Sequence, residues 1–144
     1  MPQTTNKTME QQLSFSSKSE NLNLVEKLID DVCAKNNVNE DYYGNILIAI
    51  TEAVNNAIHH GNKSNPDKSV NVQYSSEGDK LYFTIQDEGP GFDYDNLPDP
   101  TDPQNIEKPH GRGVFLMKNL SDKIDFFDGG STVKIEFNVG KIPE

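Results

Sequence analysis

Two polar side chains four residues apart on a predicted helix could hold a metal ion and activate a hydroxyl group. On a helix, Glu52 and Asn56 share one face, with Ala49 on that face and His59 close to it. An amide oxygen is a hard ligand that suits Mg²⁺, whose remaining ligands are usually waters and substrate phosphates. The carboxylate one turn earlier can orient or deprotonate an attacking hydroxyl group. Taken alone, the pair also fits an ordinary solvated helix face.

A short acidic and glycine-rich sequence, DEGPGF, directly follows a predicted strand at residues 87–92. Gly89 and Gly91 allow the main chain to approach a ligand closely or to adopt a positive φ. An ionised Asp87 only accepts hydrogen bonds, so it matches the exocyclic amino group of adenine and mismatches the oxygen that guanine carries there. An Asp-Gly turn that simply leaves a strand would show the same residues.

A second glycine-rich sequence, HGRG at residues 110–113, lies at the start of another predicted helix. Unpaired N–H groups and the helix dipole favour an anion at that position. Gly111 and Gly113 remove side-chain obstruction, and Arg112 can donate charged hydrogen bonds to phosphate oxygens. Glycine-rich loops also precede helices that bind nothing. Together, however, the three sequences could provide the metal, base and phosphate contacts of one nucleotide.

The elements that must position these residues follow from the apolar periodicity. The predicted order is β-α-α-β-β-loop-α-β-β, which indicates an α+β fold: a two-layer α/β sandwich with a mixed, mostly antiparallel sheet and helices on one face. The predicted elements are a strand at 12–17, a helix at 20–35 capped by Ser19, a helix capped by Asn39 and ending at Gly61, a hairpin turning at 77–79, a helix after HGRG, and a hairpin of 124–127 with 133–139.

The chain length and composition predict one domain. With 144 residues and 33% apolar residues, the chain fits a single core. We predict a flexible N-terminus at 1–10, one ATP-binding domain at 11–140, and within it a lid loop at 93–109. This loop segment is rich in Asp and Pro and has no periodic apolar pattern. Loops of that length in a compact domain are usually functional or disordered.

The charge balance argues against nucleic acid as a partner. Acidic residues outnumber basic ones by 23 to 13, and a formal charge of −10 repels a phosphate backbone. ATP remains possible, because helix N-terminal amides and a metal ion can neutralise phosphates. No apolar stretch approaches the roughly 20 residues that a membrane helix requires. The polar N-terminus and the single Cys33 predict a cytoplasmic protein. The histidines and the cysteine lack the spacing of a zinc site.

The three sequences resemble the motifs of the GHKL ATPase superfamily. They read EAVNNAIHHGN at 52–62, DEGPGF at 87–92 and HGRGVFLMKNLSDKIDFFDGGSTVKIEF at 110–137. More narrowly, the chain resembles the bacterial anti-sigma-factor serine/threonine kinases over about residues 40–139. The resemblance implies the fold of that superfamily, the Bergerat type, and the cofactors ATP and Mg²⁺.

The resemblance also implies roles for individual residues. Asn56 would bind Mg²⁺, Glu52 would be the catalytic base and Asp87 would recognise adenine. Arg112 falls where these kinases carry an arginine that can reach the terminal phosphate. His60 matches a frequent histidine of the family motif, for which we assign no role. The residues implied to shape the pocket are Gly89, Gly91, Gly111, Gly113 and Val114.

The family implies a homodimer that binds a sigma factor and phosphorylates a serine or threonine of an anti-anti-sigma protein with a STAS domain. The leading hypothesis is therefore an ATP-dependent protein kinase. A non-catalytic module, in which the nucleotide only sets the shape of a partner-binding surface, remains open. A third reading is the detached ATP-binding half of a histidine kinase. It is less favoured, because the first predicted helix contains no histidine that could accept a phosphoryl group.

Overall fold

The predicted order of elements is present in the fold. A computed structural model describes residues 10–95 and 109–140, with the main chain alone at 109–112. The elements are β1 (Glu10–Ser16), α1 (Leu22–Lys35), α2 (Glu40–Asn56), β2 (Ser69–Glu77), β3 (Lys80–Gln86), α3 (Pro109–Leu120), β4 (Lys123–Phe127) and β5 (Thr132–Asn138).

The strands form one sheet in the order β1-β2-β3-β5-β4. All four described pairings are antiparallel, which confirms that antiparallel pairs dominate the sheet; among the described strands there is no parallel pair that would make it mixed. A short turn connects the two strands of each hairpin: Gly78 has a φ of 61° between β2 and β3, and Gly129 has a φ of 71° between β4 and β5. Glycine adopts this left-handed region without the steric penalty that other residues meet.

The helices cover one face of the sheet. In β2, the buried Val70, Val72 and Tyr74 alternate with the more exposed Asn71 and Gln73, as expected for a strand with one buried face. Apolar residues of the helices close the same core, including Ile29, Ile46, Ile50, Val54 and Met117. Fully burying a side chain of this size contributes roughly 1.5–3 kcal/mol. The core therefore fixes how α2 lies over β3 and β5 and how α3 lies against α2 and β4.

The start of the first helix differs from the prediction. A 3₁₀ turn at Ser19–Asn21 precedes α1, which begins at Leu22 rather than at residue 20. The prediction of Ser19 as the N-cap is wrong, because its Oγ is hydrogen-bonded to His59 Nε2 at 3.1 Å instead of to a helix amide. The cap of α2 is confirmed, since Asn39 Oδ1 accepts a hydrogen bond from Asp41 N at 2.8 Å.

Helix α2 ends in a π-helical turn at Ala57–Gly61. Asn62 N donates to the carbonyl of Ala57 at 2.9 Å, which closes the wider turn. The helical segment thus ends at Gly61, as predicted. A π turn inside or after an α-helix is uncommon and frequently lies at a functional site.

The prediction for the third helix holds in place but not in length. Helix α3 already begins at Pro109, so HGRG lies in its first turns rather than before it. Proline is well tolerated there, because the first helical N–H has no partner within the helix. Most of the predicted lid, residues 96–108, lies outside the described residues, as do residues 1–9 of the predicted flexible N-terminus. Within the described part of the chain, no helix is long and apolar enough to span a membrane.

Candidate nucleotide-binding site

A cavity of about 150 Å³ lies between α2, α3 and the sheet. Among the residues whose side chains the structure describes, four of the predicted site residues line it: Asn56, Asp87, Gly91 and Val114. Further described residues of the wall are Ala53, Ala57, His60, Gly61, Lys63, Ile85, Pro90, Phe92, Met117, Phe126, Gly130, Ser131 and Val133. Apolar side chains with a few converging polar groups are typical of sites for small organic ligands.

Glu52 and Asn56 lie against the main chain of α3. A Cβ atom built at Gly113 would be 2.9 Å from Asn56 Nδ2 and 3.2 Å from Glu52 Oε1. Glycine is therefore the residue that lets these two side chains approach the N-terminal part of α3. The structure thus brings the predicted metal and base residues next to the predicted phosphate sequence, which lies about sixty positions further along the chain.

Asp87 is held at the end of β3 by main-chain groups. Its Oδ1 accepts a hydrogen bond from Gly89 N at 2.8 Å, and its N–H donates to the carbonyl of Ser131 at 2.9 Å. Its carboxylate fills the space beside Gly61, where a Cβ atom would overlap with it. A Cβ atom at Gly89 would overlap with the carbonyl oxygen of Gly61. These glycines let the π turn and the DEGPGF turn touch directly.

The surroundings of Asp87 change its acidity. Burial raises the pKa of the Asp87 carboxyl above its ordinary value of 3.8, because desolvation disfavours the charged form. The hydrogen bond from Gly89 N and the positive charge of Lys68 oppose this shift but do not cancel it. Asp87 therefore keeps its proton to a higher pH than an exposed aspartate does.

An aromatic cluster borders the cavity beside β4. Phe92 meets Phe126 edge to face, with ring centroids 5.5 Å apart, and Tyr94 stacks on Phe126 at 4.7 Å. Phe92 N donates to the carbonyl of Gly129 at 2.9 Å, which fixes the chain after the DEGPGF turn. Gly91 permits this path, since it has a φ of 83° and a Cβ there would overlap with the same carbonyl.

Several lining residues were not singled out from the sequence. Phe92 and Phe126 lie within two of the quoted motifs, so the sequence contained a signal for them, whereas Lys63 lies outside all three motifs. His60 also lines the cavity. Its neighbour His59 was predicted to lie close to the face of Glu52 and Asn56. Instead, His59 is exposed and hydrogen-bonded to Ser19 Oγ at 3.1 Å and Ser64 Oγ at 2.8 Å.

The remaining predicted contacts stay predictions. Nothing is described of the side chain of Arg112, and the main chain of Gly111 lies in the first turns of α3. For Mg²⁺, the donor set present is one carboxamide and one carboxylate next to a glycine of a helix N-terminal segment. This set fits an ion that takes few ligands from the protein and the rest from phosphates and waters.

Residues 15–137 match the model of a family described as the histidine kinase-like ATPase domain. The chain belongs to this family. The match spans all of the described strands and helices except the outer part of β1 and the last residue of β5. Membership of the histidine kinase-like ATPase family confirms the superfamily and the fold class predicted from the motifs.

Curated relatives in other bacteria have names that agree with the narrower resemblance. An anti-sigma F factor of Anoxybacillus flavithermus is 29% identical over 133 residues, covering 88% of this chain and 90% of the relative. An anti-sigma F factor of Bacillus velezensis is 29% identical over 139 residues, covering 92% and 94%. A serine-protein kinase RsbW of Staphylococcus aureus is 26% identical over 132 residues, covering 86% and 83%.

A solved structure has the same fold. It contains the RsbU and RsbW domains of a Mycobacterium tuberculosis protein and superposes with a TM-score of 0.62 at 14% identity. The superposition covers 90% of the present chain and 31% of the solved one, so this chain corresponds to about a third of that protein. At this identity the likeness supports the fold of the histidine kinase-like ATPase domain.

Proposed function

We propose that this chain is an ATP-dependent serine/threonine protein kinase and an anti-sigma factor. It binds a sigma factor and phosphorylates a serine or threonine of an anti-anti-sigma protein with a STAS domain. The observation that carries the proposal is the approach of Glu52 and Asn56 to Gly113, beside the cavity that Asp87 lines. The names anti-sigma F factor and serine-protein kinase, given to its relatives, support the choice of partner and reaction.

ATP has a defined orientation in this proposal. The adenine amino group donates to the Asp87 carboxylate, and the apolar side chains of Ile85, Met117 and Val133 contact the ring. The triphosphate extends towards the first turns of α3, where backbone N–H groups and the helix dipole favour negative charge. In this arrangement, the carboxylate and the apolar side chains of the cavity bind the base, and the helix N-terminus binds the phosphates of the same molecule.

Phosphoryl transfer requires a base and charge neutralisation. The substrate hydroxyl oxygen forms a bond to the γ-phosphorus, the bond to the bridging oxygen of ADP breaks, and Glu52 takes the hydroxyl proton. Asn56 would hold Mg²⁺ together with the phosphates, and the ion would supply neutralisation of the phosphate charge. Arg112 donates to the terminal phosphate. The rate enhancement comes mainly from positioning and electrostatic stabilisation.

The proposal is tested by label transfer. The purified protein is incubated with Mg²⁺, γ-labelled ATP and the STAS-domain proteins encoded in its own genome. We expect one of them to be labelled on serine or threonine. Measured ATP binding without transfer to any of these proteins would refute the kinase and favour the non-catalytic switch.

Glu52→Ala separates the kinase from the switch. We expect phosphoryl transfer to fall by at least about 10²-fold, because a positioned base typically contributes 10²–10⁴-fold. ATP affinity should stay within about threefold, since Glu52 is not among the residues that line the cavity. Steady-state kinetics and calorimetry measure the two quantities.

The matched control is Thr51→Ala. Thr51 precedes Glu52 on α2, but its hydroxyl is bonded to the carbonyl of Leu47 at 2.7 Å within the same helix. Its loss should leave transfer unchanged within about twofold. An equal loss in both variants would mean that the helix, rather than the carboxylate, is responsible.

The proposal includes a homodimer in the cytoplasm, as the family resemblance implies. Light scattering of the purified chain at micromolar concentration tests the dimer. A mass of 16.1 kDa, that of one chain, would contradict this part while leaving the kinase proposal intact.

A further inference from the structure

Asn62 is a buried polar residue that lies outside the cavity lining. It follows the π turn directly, and only 1% of its surface is exposed. Its Nδ2 donates to Ser17 Oγ at 2.8 Å and to the carbonyl of Ser69 at 3.0 Å. Its Oδ1 accepts from Glu88 N at 2.7 Å. One carboxamide thereby joins the end of β1, the start of β2 and the turn after β3.

The bond to Glu88 N acts on the residue next to Asp87. Asp87 itself is fixed by two hydrogen bonds: its N–H donates to the Ser131 carbonyl, and its Oδ1 accepts from Gly89 N. The acceptors of these two bonds are the Ser131 carbonyl and the Asp87 carboxylate itself. Glu88 N instead donates to a side chain of another segment, that of Asn62, so a substitution can remove this bond without changing the turn sequence.

The network around Asn62 gives it a single orientation. Ser17 is 2% exposed, and its Oγ donates to the carbonyl of Lys68 at 2.7 Å, so the hydroxyl presents its lone pairs to Asn62 Nδ2. With both N–H groups used on one side, Oδ1 must face Glu88. A buried network in which every member is bonded is rigid, and losing one partner leaves an unpaired group at a cost.

We propose that Asn62 is a positioning residue for nucleotide recognition. By holding the main chain at Glu88, its carboxamide sets the direction in which the Asp87 carboxylate points into the cavity. The inference rests on the proposed function, namely that the cavity binds ATP with adenine at Asp87. Asn62 acts through Asp87, so its effect falls on recognition of the base and not on phosphoryl transfer from Glu52.

The test compares Asn62→Ala with Ser17→Ala. Both remove buried hydrogen bonds, and both should lower the melting temperature. Only Asn62→Ala removes the bond to Glu88 N. We expect its ATP dissociation constant to rise about tenfold, the effect of one hydrogen bond to a group that orients a charge, while that of Ser17→Ala changes by less than about threefold.

Two further readouts separate positioning from mere destabilisation. Guanine carries an oxygen where adenine carries its amino group, so GTP does not use Asp87 as an acceptor there. GTP affinity should therefore be unchanged in Asn62→Ala, and the preference for ATP over GTP should shrink by the same tenfold. At saturating ATP, the transfer rate of Asn62→Ala should stay within about twofold of wild type. Equal losses for ATP and GTP, or equal losses in Asn62→Ala and Ser17→Ala, would overturn the positioning role.

Asn62→Asp keeps the proposal falsifiable where Asn62→Ala does not fold. The carboxylate retains an acceptor for Glu88 N and loses the donors to Ser17 and Ser69. We expect reduced thermal stability with ATP affinity within about threefold of wild type, and a tenfold loss would contradict the role. If the wild-type protein binds no ATP, the proposed function fails. If the wild type binds ATP and Asn62→Ala binds it equally well, only the positioning role is refuted.

Discussion

At the scale of single residues, Asp87 combines a functional carboxylate with an unfavourable environment. Burial raises its pKa, so folding with the ionised form costs free energy that an exposed aspartate would not. The hydrogen bond from Gly89 N offsets part of this cost. A carboxylate whose pKa is shifted by burial is typical of a functional site.

Asp87→Asn should therefore weaken ATP binding without weakening the fold. The amide presents a donor as well as an acceptor to the adenine edge, and we expect a loss of roughly 10 to 100-fold in affinity, as for a hydrogen bond to a charged group. Calorimetry measures the affinity. At pH 7 the melting temperature of the variant should equal or exceed that of wild type. A lower melting temperature would show that the carboxylate stabilises the fold.

The same raised pKa predicts opposite pH dependences for stability and binding. Because the folded-state pKa of Asp87 lies above its unfolded value, its favourable contribution to stability is present below pH 3.8 and is lost as pH rises through the folded pKa. ATP binding behaves in the opposite way, since only the ionised carboxylate is purely an acceptor. To isolate this one group, the melting temperature and the ATP affinity of wild type and Asp87→Asn are compared from pH 4 to pH 7. If the differences between the two proteins did not change with pH, both predicted pH dependences would be contradicted.

At the scale of elements, the packing of α2 against α3 creates the site. Both helices bury apolar residues on the sheet, and Gly113 is the position where α3 admits the side chains of Glu52 and Asn56. Any side chain larger than hydrogen at position 113 would have to displace the Asn56 carboxamide. The spacing of Glu52 and Asn56 predicted their common face from sequence, but which helix would oppose that face depended on tertiary packing.

Gly113→Ala should separate helix stability from function. Alanine is a better helix former than glycine by about 1 kcal/mol, but its Cβ would lie 2.9 Å from Asn56 Nδ2 and push the carboxamide away. We expect at least a tenfold loss of phosphoryl transfer with little loss of thermal stability, measured by kinetics and calorimetric melting.

Gly44→Ala is the matched control for Gly113→Ala. Gly44 also lies within a helix, and a Cβ built there meets nothing within 4 Å. This variant should be more stable than wild type by about 0.5–1 kcal/mol and equally active. Full activity in Gly113→Ala would show that the approach of Asn56 to α3 is not required.

The elements also show where the sequence was informative. Apolar periodicity predicted the strands and helices in order, because most of them have one buried face. It could not predict the π turn, in which Asn62 N bonds to the carbonyl of Ala57, one residue further back than in an α-helix. That turn decides which histidine lines the cavity: His60 does, while His59 bonds to Ser19 and Ser64. The N-cap prediction at Ser19 was wrong for a similar reason, because the hydrogen-bond partner of its hydroxyl, His59, is distant in sequence.

At the scale of the whole molecule, ligand binding should be visible as stability. A ligand that binds only the folded state at 100 times its dissociation constant adds about 2.7 kcal/mol, which corresponds to several degrees in the melting temperature of a domain this size. We expect Mg·ATP to produce this shift in wild type and a clearly smaller one in Asp87→Asn. An equal shift with GTP would contradict the assignment of Asp87 to the adenine end.

The glycine contact between the two turns carries a consequence for variation of this protein. Gly61 lies against the carboxylate of Asp87, and Gly89 lies against the carbonyl of Gly61, each without space for one methyl group. A library randomised at either position should return glycine alone among active clones. Because the obstacle at Gly61 is the Asp87 carboxylate and the obstacle at Gly89 is the main chain of Gly61, a substitution at one glycine makes no room at the other. Descendants of this sequence are therefore expected to retain glycine at both positions.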